Sequence, residues 1–348
     1  MALTGIVTYH HVPNFGAFIQ AWSLTQAIQR LGHDVEVVDY RAPGHEAKFK
    51  RTGIKSLVPS PGRWRMNRFM LNNLPLSPTV RSAEEADKLI DTGRYDRLVC
   101  GSDQVWLKDP YLGFDRVFFL GVGETADVRR FSYAPSCGNL ESYGEDTETA
   151  RRLIGNLDAI SVRDANTMAI VNSLGFSDVP RVVDPSLLAD FDPLIGPKPF
   201  SHDYIVVTGR LNSAGEKMIR QYADLAKLKV VAAGTQCSTA DINKKYTHAG
   251  EWVNLIKHAK LVITSLFHGA AVSVNLRKPF IAVDAAGRAF KLTDLLGRFS
   301  MTERFVPIEN GEYPINPDLM DIDYSAAEPL LQADIASSRA YLKGALDG

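Results

Sequence analysis

Residues 261–284 read LVITSLFHGAAVSVNLRKPFIAVD, and this stretch decides the fold class. A short apolar run ends at Thr264, and an Ala- and Val-rich segment then predicts a helix over 268–277. Pro279 ends that helix, and the apolar residues 280–284 predict a second buried strand. A strand, a helix and a strand in succession are typical of a parallel sheet with right-handed crossovers.

The same alternation runs through most of the chain. Strands are predicted at 5–9, 35–40, 95–100, 130–134, 159–163, 181–184, 204–209, 229–234, 261–265 and 280–284. Helices are predicted at 16–31, 83–92, 165–174, 214–227, 251–259, 268–277, 289–299 and within the tail 325–348. Residues 43–80 are rich in Pro, Arg and Lys, and they predict an irregular insertion.

A proline-rich segment at 185–202 predicts a linker between two halves of the chain. The sequence therefore predicts an α/β protein with two Rossmann-like domains that face each other across a cleft. The first domain is expected at 1–185 and the second at 203–310. Residues 311–348 are expected to form a C-terminal tail with a helix that packs back on the first domain.

The overall composition excludes several classes of protein. The chain has 348 residues, of which 45% are hydrophobic and 23% charged, and its net charge is −1. Nucleic-acid-binding proteins usually carry a basic face, so no nucleic-acid partner is expected. The three cysteines are far apart and indicate neither a disulfide framework nor a zinc site. No apolar stretch approaches about 20 residues, and no basic segment precedes an apolar one at the start. We therefore expect a cytoplasmic protein without a transmembrane segment.

The turn SLFHG places polar residues at the carboxyl end of a predicted strand, where ligands bind in open α/β sheets. A helix that begins near His268 offers free N–H groups and the positive end of its dipole. Ser265 can bind an anion and Gly269 can let a ligand approach the backbone, which predicts a phosphate or carboxylate site. The alternative is that Ser265 caps the helix and His268 is an ordinary buried polar residue.

In the first half of the chain, other strand ends also carry candidate site residues. Asn14 and Gly16 stand at the first strand–helix junction, where they can contact a ligand or simply form the helix entry. Ser102 and Asp103 follow the strand predicted at 95–100. Asp103 can act as an acid or base or cap a turn.

Four basic residues that follow strands can hold an anion. Arg163 can bind a phosphate or carboxylate with two parallel hydrogen bonds, or it can pair with a structural carboxylate. Arg210 can face the cleft or the solvent. Arg288 and Lys291 offer a further basic edge, with a solvated surface as the alternative.

Seven motifs, in this order, resemble the polysaccharide pyruvyl transferase family. They are YHHVPNFGAFIQAWSLTQAIQRLGHDVEVVDY (9–40), YDRLVCGSDQVW (95–106), FSYAPSCG (131–138), SVRD (161–164), VVDPSLL (182–188), EWVNLIKHAKLVITSLFHGAAVSV (251–274) and KPFIAV (278–283). The resemblance implies two Rossmann domains of the glycosyltransferase-B-like kind. It implies transfer of a pyruvyl group from phosphoenolpyruvate to the hydroxyls of a sugar or glycan acceptor, with formation of a cyclic ketal and release of phosphate.

The resemblance also implies roles for single residues. The family's histidine and arginine map onto His268 and Arg163, both associated with the pyruvyl donor. Part of the family has arginine where this chain has Leu266. The candidates to replace that arginine are Arg210, Arg288 and Lys291. No motif requires a metal ion or a cofactor.

The residue types suit this chemistry. A donor with nearly three negative charges needs cations and a helix N-terminus, so the second domain is assigned to the donor. We assign His268 to donor binding and to protonation of the enol carbon. Asp103 is the candidate base on the acceptor side, which the first domain provides together with Asn14, Gly16 and Ser102.

Two alternative functions stay open at this point. A nucleotide-sugar-dependent glycosyltransferase of the same architecture would use the same helix N-terminus for a diphosphate, but it usually adds a carboxylate for the ribose. A non-catalytic sugar-binding relative would not need Asp103, Arg163 and His268 together.

Overall fold

The computed structural model describes residues 2–12, 14–42, 44, 61–108, 113–284 and 289–348. These residues belong to two compact units. Unit 1 is formed by Met1–Pro59, Met70–Ala189 and Asp334–Gly348, and unit 2 by Ser60–Phe69 and Asp190–Ala333. Among the described residues, no helix combines the length and the apolar character needed to cross a membrane.

Ten strands and ten helices are described. The strands are β1 (Leu3–Val7), β2 (Asp34–Val37), β3 (Arg97–Cys100), β4 (Arg129–Ser132), β5 (Tyr204–Thr208), β6 (Lys229–Ala233), β7 (Ile242–Lys244), β8 (Leu261–Thr264), β9 (Phe280–Val283) and β10 (Phe305–Val306). The helices are α1 (Phe15–Arg30), α2 (Pro61–Asn73), α3 (Ala83–Asp91), α4 (Thr147–Gly155), α5 (Ala165–Ser173), α6 (Ser213–Ala226), α7 (Ala249–His258), α8 (Phe267–Asn275), α9 (Ala289–Arg298) and α10 (Ala327–Asp347).

Unit 1 contains a four-stranded parallel sheet in the order β2-β1-β3-β4. Gly5 of β1 lies opposite Glu36 of β2 on one side and Leu98 of β3 on the other. The chain passes from β1 to β2 and then crosses to the other side of β1 to form β3. The strand order therefore reverses between β1 and β3, and such a switch point opens a crevice at the carboxyl ends of the strands.

Unit 2 contains a six-stranded parallel sheet in the order β10-β9-β8-β5-β6-β7. Its strands β5, β8 and β9 are buried throughout, as expected for a parallel sheet covered on both faces. The strand order reverses between β5 and β8. The turn SLFHG follows β8 directly, so it lies at this second switch point.

The end of α10 packs within unit 1. The Tyr341 hydroxyl donates to the Ser132 carbonyl oxygen at 2.9 Å, and the Arg129 Nε atom donates to the Ala345 carbonyl oxygen at 2.9 Å. The Arg129 bond lies near the carboxyl end of the helix, where free carbonyl groups and the helix dipole favour a cation.

Two predicted strands are wrong as continuous strands. Residues 159–163 and 181–184 form only isolated bridges, which join Ala159 to Phe131 and Val162 to Arg181. The Ser132 Oγ atom accepts from the Ser161 backbone N–H and donates to its carbonyl oxygen. These side-chain bonds join the two segments together with the backbone bond from the Ser132 N–H to the Ala159 carbonyl oxygen.

The predicted irregular insertion at 43–80 contains a helix, so this prediction is wrong over residues 61–73. Helix α2 begins with Pro61, a residue suited to the first helical position. Met66 and Met70 are buried at a spacing of four residues, and Leu74 continues this stripe. Arg63, Arg65 and Arg68 in the same helix masked the helical pattern in the sequence.

Candidate active site

The turn after β8 is tied to the end of β5 by hydrogen bonds. The Ser265 N–H donates to the Thr208 carbonyl oxygen at 3.2 Å, and the Ser265 Oγ atom donates to the Arg210 carbonyl oxygen at 3.1 Å. Gly209 has φ +90°, and a Cβ atom on it would collide with the Ser265 hydroxyl. Glycine is therefore required here by both the backbone conformation and the close approach of Ser265.

Helix α8 begins immediately after this turn. Its N-cap residue is Leu266, whose hydrocarbon side chain cannot accept a hydrogen bond from the first-turn N–H groups. Ser265 does not cap the helix, so this part of the alternative is wrong, while the interpretation of His268 as an ordinary buried polar residue stays open. The positive end of the helix dipole is thus left without a neutralising side chain from the N-cap position.

His268 lies in the first turn of α8 and is 8% exposed. Its ring meets the Phe267 ring edge-on, with 5.1 Å between the centroids. The first turn of α8 thus combines backbone N–H groups with an imidazole side chain, and these are group types that bind phosphate or carboxylate.

Gly269 has a packing role. A Cβ atom here would collide with Thr264 and would come within 3.2 Å of the Thr208 Cγ2 atom. The two threonines are held from other directions, because Thr264 Oγ1 accepts from the Leu266 N–H and Thr208 Oγ1 accepts from Trp252 Nε1. Close contact between α8 and the sheet accounts for this glycine, and its approach to a ligand stays a prediction.

The basic residues predicted near the donor differ in placement. The Arg210 side chain is exposed and follows β5, next to the carbonyl group that Ser265 contacts. Lys291 lies on α9, with its Nζ atom 5.9 Å from the centroid of the Phe290 ring. Arg288 lies outside the described residues.

Ser102 and Arg163 meet in unit 1 on one carboxylate. The Ser102 Oγ atom donates to Asp184 Oδ2 at 3.0 Å, and the Arg163 Nη1 atom donates to the same oxygen at 3.1 Å. The other oxygen of Asp184 accepts from the N–H and the hydroxyl of Ser186. Asp184 was not predicted as a site residue, although it ends the VVDPSLL motif's apolar run and could have been found there.

The Arg163 guanidinium lies among carboxylates. Its side chain is 5% exposed, and the Asp164 carboxylate lies 3.7 Å from Arg163 Nε. Burial lowers the pKa of Arg163, but the negative charges of Asp184, Asp164 and Asp103 outweigh it and raise the pKa. The alternative that Arg163 pairs with a structural carboxylate is therefore observed, and its contact with a donor stays a prediction.

Asp103 stands at the end of β3 in an unusual backbone conformation. Its φ is +81°, a region that residues with a Cβ atom rarely adopt and that costs roughly 1–3 kcal/mol. Its backbone carbonyl accepts from the Ser136 N–H, and its Oδ1 atom accepts from the Gln104 N–H at 2.8 Å. Asp103 thus forms a turn directly after β3, and the residue is partly exposed.

Asn14 and Gly16 form the entry of α1. The Asn14 side chain is the N-cap and accepts from the Gly16 N–H at 2.8 Å. This is the helix-entry alternative, while an additional acceptor contact by either residue stays a prediction.

A buried polar cluster that sequence reasoning missed lies at the ends of β1 and β2. The His10 Nδ1 atom lies 3.0 Å from the Thr8 carbonyl oxygen, and Nε2 lies 2.9 Å from Asp39 Oδ1. Arg41 donates two hydrogen bonds to Asp39, and Thr79 donates a third. Burial raises the pKa of Asp39, but hydrogen bonds from His10, Arg41 and Thr79 outweigh it and lower the pKa.

These contacts hold the His10 side chain in place after the end of β1, directly next to Tyr9 in the chain. Both ring nitrogens of His10 lie within hydrogen-bond distance of an oxygen atom, so the ring is held from two sides. The sequence signal was available, because His10 and Asp39 follow two strands that pair in parallel.

The described part of the chain contains no group of three or more His, Cys, Asp or Glu side chains that could hold a metal ion.

The matched family model is described as polysaccharide pyruvyl transferase and covers residues 14–286. That span is well over half of the chain, and it contains both switch-point sites. This chain belongs to the polysaccharide pyruvyl transferase family. It is therefore a transferase, as predicted.

Among solved structures, a putative UDP-N-acetylglucosamine 2-epimerase from Listeria monocytogenes is similar, with a TM-score of 0.53 at 10% identity over 99% of this chain and 90% of that one. The UDP-GlcNAc 2-epimerase from Methanocaldococcus jannaschii gives 0.49 at 12% identity, with coverage of 95% and 93%. ADP-heptose LPS heptosyltransferase II from E. coli gives 0.40 at 12% identity, with coverage of 97% and 99%. No curated protein sequence matches the chain. At these identities the Listeria structure shows the fold alone, and with the two parallel sheets it confirms the predicted glycosyltransferase-B-like α/β class.

Proposed function

We propose that this pyruvyl transferase moves a pyruvyl group from phosphoenolpyruvate onto two hydroxyls of a sugar in a glycan or polysaccharide. Two C–O bonds form at C2 of phosphoenolpyruvate, and the bond from C2 to the phosphate oxygen breaks. C3 gains one proton and becomes a methyl group. The two acceptor hydroxyls lose two protons, of which one balances the proton gained at C3 and one leaves with the phosphate. The product is a cyclic ketal, and inorganic phosphate is released.

The observation that carries the proposal is the start of α8 at the switch point of unit 2. Phosphoenolpyruvate carries a phosphate and a carboxylate, and both are stabilised by helix N–H groups and the helix dipole. The N-cap position holds a leucine, so the chain supplies no carboxylate or hydroxyl from that position to occupy the helix start. His268 in the same turn supplies a hydrogen bond to the donor and, when protonated, an acid for C3.

Arg210 provides the cation that Leu266 does not. Its side chain is exposed, and its backbone is held by the hydrogen bond from Ser265. The guanidinium can therefore contact a bound phosphate without leaving a buried partner unpaired. Lys291 and Arg288 are further proposed cations for this anion.

In unit 1, Asp103 is the proposed base for an acceptor hydroxyl. The backbone strain at this residue is the kind of cost that persists at functional positions. Ser102, which precedes Asp103, and Arg163 both donate a hydrogen bond to Asp184 and fix the position of its carboxylate. The contact of Arg163 with phosphoenolpyruvate, implied by the family resemblance, belongs to the proposal as well.

The experiment is a thermal scan of the full chain with phosphoenolpyruvate, UDP-glucose and GDP-mannose in separate samples. A ligand that binds the native state raises the melting temperature, and the rise grows with the ratio of the ligand concentration to its dissociation constant. We expect phosphoenolpyruvate to give the largest rise. A rise with the nucleotide sugars alone would contradict the proposal and would identify a nucleotide-sugar-dependent glycosyltransferase.

A further inference from the structure

A cavity of about 530 Å³ lies within unit 1, at the carboxyl end of its sheet. Tyr9 follows β1, Tyr40 follows β2 and Val105 follows β3, and all three line this cavity. The cavity therefore includes the crevice between β1 and β3, where the strand order reverses. Its size lies within the range of about 300–1,000 Å³ that is usual for small-molecule sites.

Aromatic side chains form much of the cavity wall, and they hold one another in place. The Phe118 ring meets the Tyr9 ring edge-on with 4.6 Å between centroids, and it meets the Tyr40 ring in the same way at 5.5 Å. The Phe114 ring stacks on Phe119 at 4.2 Å. A wall of this kind presents flat apolar surface to a ligand with little loss of side-chain entropy on binding.

Polar groups stand beside this aromatic wall. Asp115 accepts from the Tyr40 hydroxyl at 2.9 Å and from the Val117 N–H at 3.0 Å, so its carboxylate is fixed in place. Thr149 and Arg152 line the cavity from α4, and both side chains are exposed. A few placed polar groups on a mainly apolar wall are what fixes the orientation of a small ligand.

The charges of the lining residues do not favour an anion. Arg116 is already paired with Asp87, at 2.6 Å between Nη2 and Oδ2, which leaves Asp115 and Arg152 as one negative and one positive group. A ligand with the charge of phosphoenolpyruvate needs several cations, and the lining residues that the structure describes do not offer an excess of them. A neutral ligand with apolar faces and many hydroxyls fits the lining better.

We propose that this cavity binds a neutral pyranose unit of the acceptor glycan, with its apolar face on the aromatic wall and its hydroxyls on Asp115, Thr149 and Arg152. The inference rests on the proposed function, because a sugar is the acceptor of that reaction. It adds a binding site that lies wholly in unit 1 and whose polar residues Asp115, Thr149 and Arg152 lie outside the seven sequence motifs.

The test uses the full chain with labelled leucine methyl groups, because Leu107 and Leu153 both line the cavity. The probes are the methyl glycosides of glucose, galactose, mannose and N-acetylglucosamine at millimolar concentration. We expect at least one glycoside to shift the Leu107 and Leu153 methyl signals. Shifts confined to other leucines, or none with any of the four glycosides, would overturn the inference.

A matched pair of variants makes the test specific. Thr149→Trp narrows the cavity from an exposed position and is expected to weaken glycoside affinity by about tenfold or more. Glu148→Trp stands on the same turn of α4 but does not line the cavity, so unchanged affinity is expected. Arg152→Ala is a second variant at an exposed position, expected to weaken affinity by about threefold or more through loss of hydrogen bonds. Unchanged affinity in both Thr149→Trp and Arg152→Ala would overturn the inference.

Phosphoenolpyruvate calorimetry on the same samples separates the two proposals. Wild type, Thr149→Trp and Glu148→Trp are expected to bind phosphoenolpyruvate alike. If wild type binds glycosides at the cavity but not phosphoenolpyruvate, the proposed function fails while the sugar site stands. If phosphoenolpyruvate itself shifts the Leu107 and Leu153 signals and displaces the glycoside, the cavity is a donor site and the inference is wrong.

Discussion

The Ser265 Oγ atom donates a hydrogen bond to the carbonyl oxygen of Arg210 over 3.1 Å. These two residues follow β8 and β5, the strands between which the order of the unit 2 sheet reverses. The bond joins the two strand ends, and it fixes the backbone that leads into α8. The helix start is therefore preorganised before any ligand arrives, which reduces the entropy lost on binding.

Gly269→Ala is expected to destabilise the protein, because the added Cβ atom collides with Thr264 beneath α8. Overpacking of this kind costs about 1–3 kcal/mol in the free energy of unfolding, which urea titration can measure. Gly297→Ala on α9 is the control, since no atom lies within 4 Å of the new Cβ position. It is expected to leave stability unchanged or raise it by about 0.4–1 kcal/mol. Equal stability of Gly269→Ala and wild type would show that packing does not explain this glycine.

Asp103→Asn is expected to lower turnover by roughly 100-fold, because the amide keeps the shape of the side chain but cannot take a proton. The affinity for phosphoenolpyruvate is expected to stay close to that of wild type. Turnover is measured as phosphate released from phosphoenolpyruvate in the presence of a glycan acceptor. Asp178→Asn is the control, since Asp178 is an exposed aspartate that also has a positive φ, +59°. Normal turnover in Asp103→Asn would exclude Asp103 as the base.

Arg163→Gln is expected to destabilise the protein by about 3–5 kcal/mol, because it leaves the buried Asp184 and Asp164 carboxylates without their cation. Arg151→Gln is the control, since Arg151 is an exposed partner of Glu148 and its loss should cost well under about 1 kcal/mol. The double variant Arg163→Gln/Asp184→Asn is expected to recover part of the loss. A variant Arg163→Gln that is as stable as wild type would contradict this structural role of Arg163.

Asp39→Asn is expected to lower the free energy of unfolding at neutral pH by about 3 kcal/mol, since it removes the anion that holds His10 and Arg41. The pKa of Asp39 is lowered in the folded chain, so the folded state binds fewer protons than the unfolded state near pH 4. The stabilisation from Asp39 is therefore present above the unfolded pKa of about 4 and is lost as the pH falls below it. Urea titrations between pH 7 and pH 3 should show a steeper loss in wild type than in Asp39→Asn. Parallel curves would contradict the assignment, and Asp127→Asn, an exposed aspartate, is the control.

Much of the fold could be predicted from hydrophobic periodicity, because the buried strands and amphipathic helices of a parallel sheet have clear patterns. The helices at 16–31, 83–92 and 214–227 are found within one or two residues of their predicted bounds. The failures have physical causes. Ser132 and Ser161 are joined through their hydroxyl groups as well as through an isolated bridge nearby, and basic residues hide the apolar stripe of α2.

The candidate sites could be predicted only in part. The strand-end rule located Ser102, Asp103 and Ser265, since parallel strands bring their carboxyl ends to one edge. The partners of these residues could not be read from the sequence, because they come from distant segments. Asp184 meets Ser102 across 82 positions of the chain, and Asp39 meets His10 across 29. Arg163 could be placed at a strand end, but only the structure shows the carboxylates that surround it.

The most direct test of the central claim is isothermal titration of phosphoenolpyruvate into wild type and His268→Ala. Loss of one charge-assisted hydrogen bond costs about 1.5–3 kcal/mol, so the dissociation constant is expected to rise by about 10- to 150-fold. His258→Ala, a histidine on α7 that contacts the Gly196 carbonyl oxygen, is the control and should bind like wild type. Unchanged phosphoenolpyruvate affinity in a folded His268→Ala protein would contradict the assignment of the donor site to the start of α8.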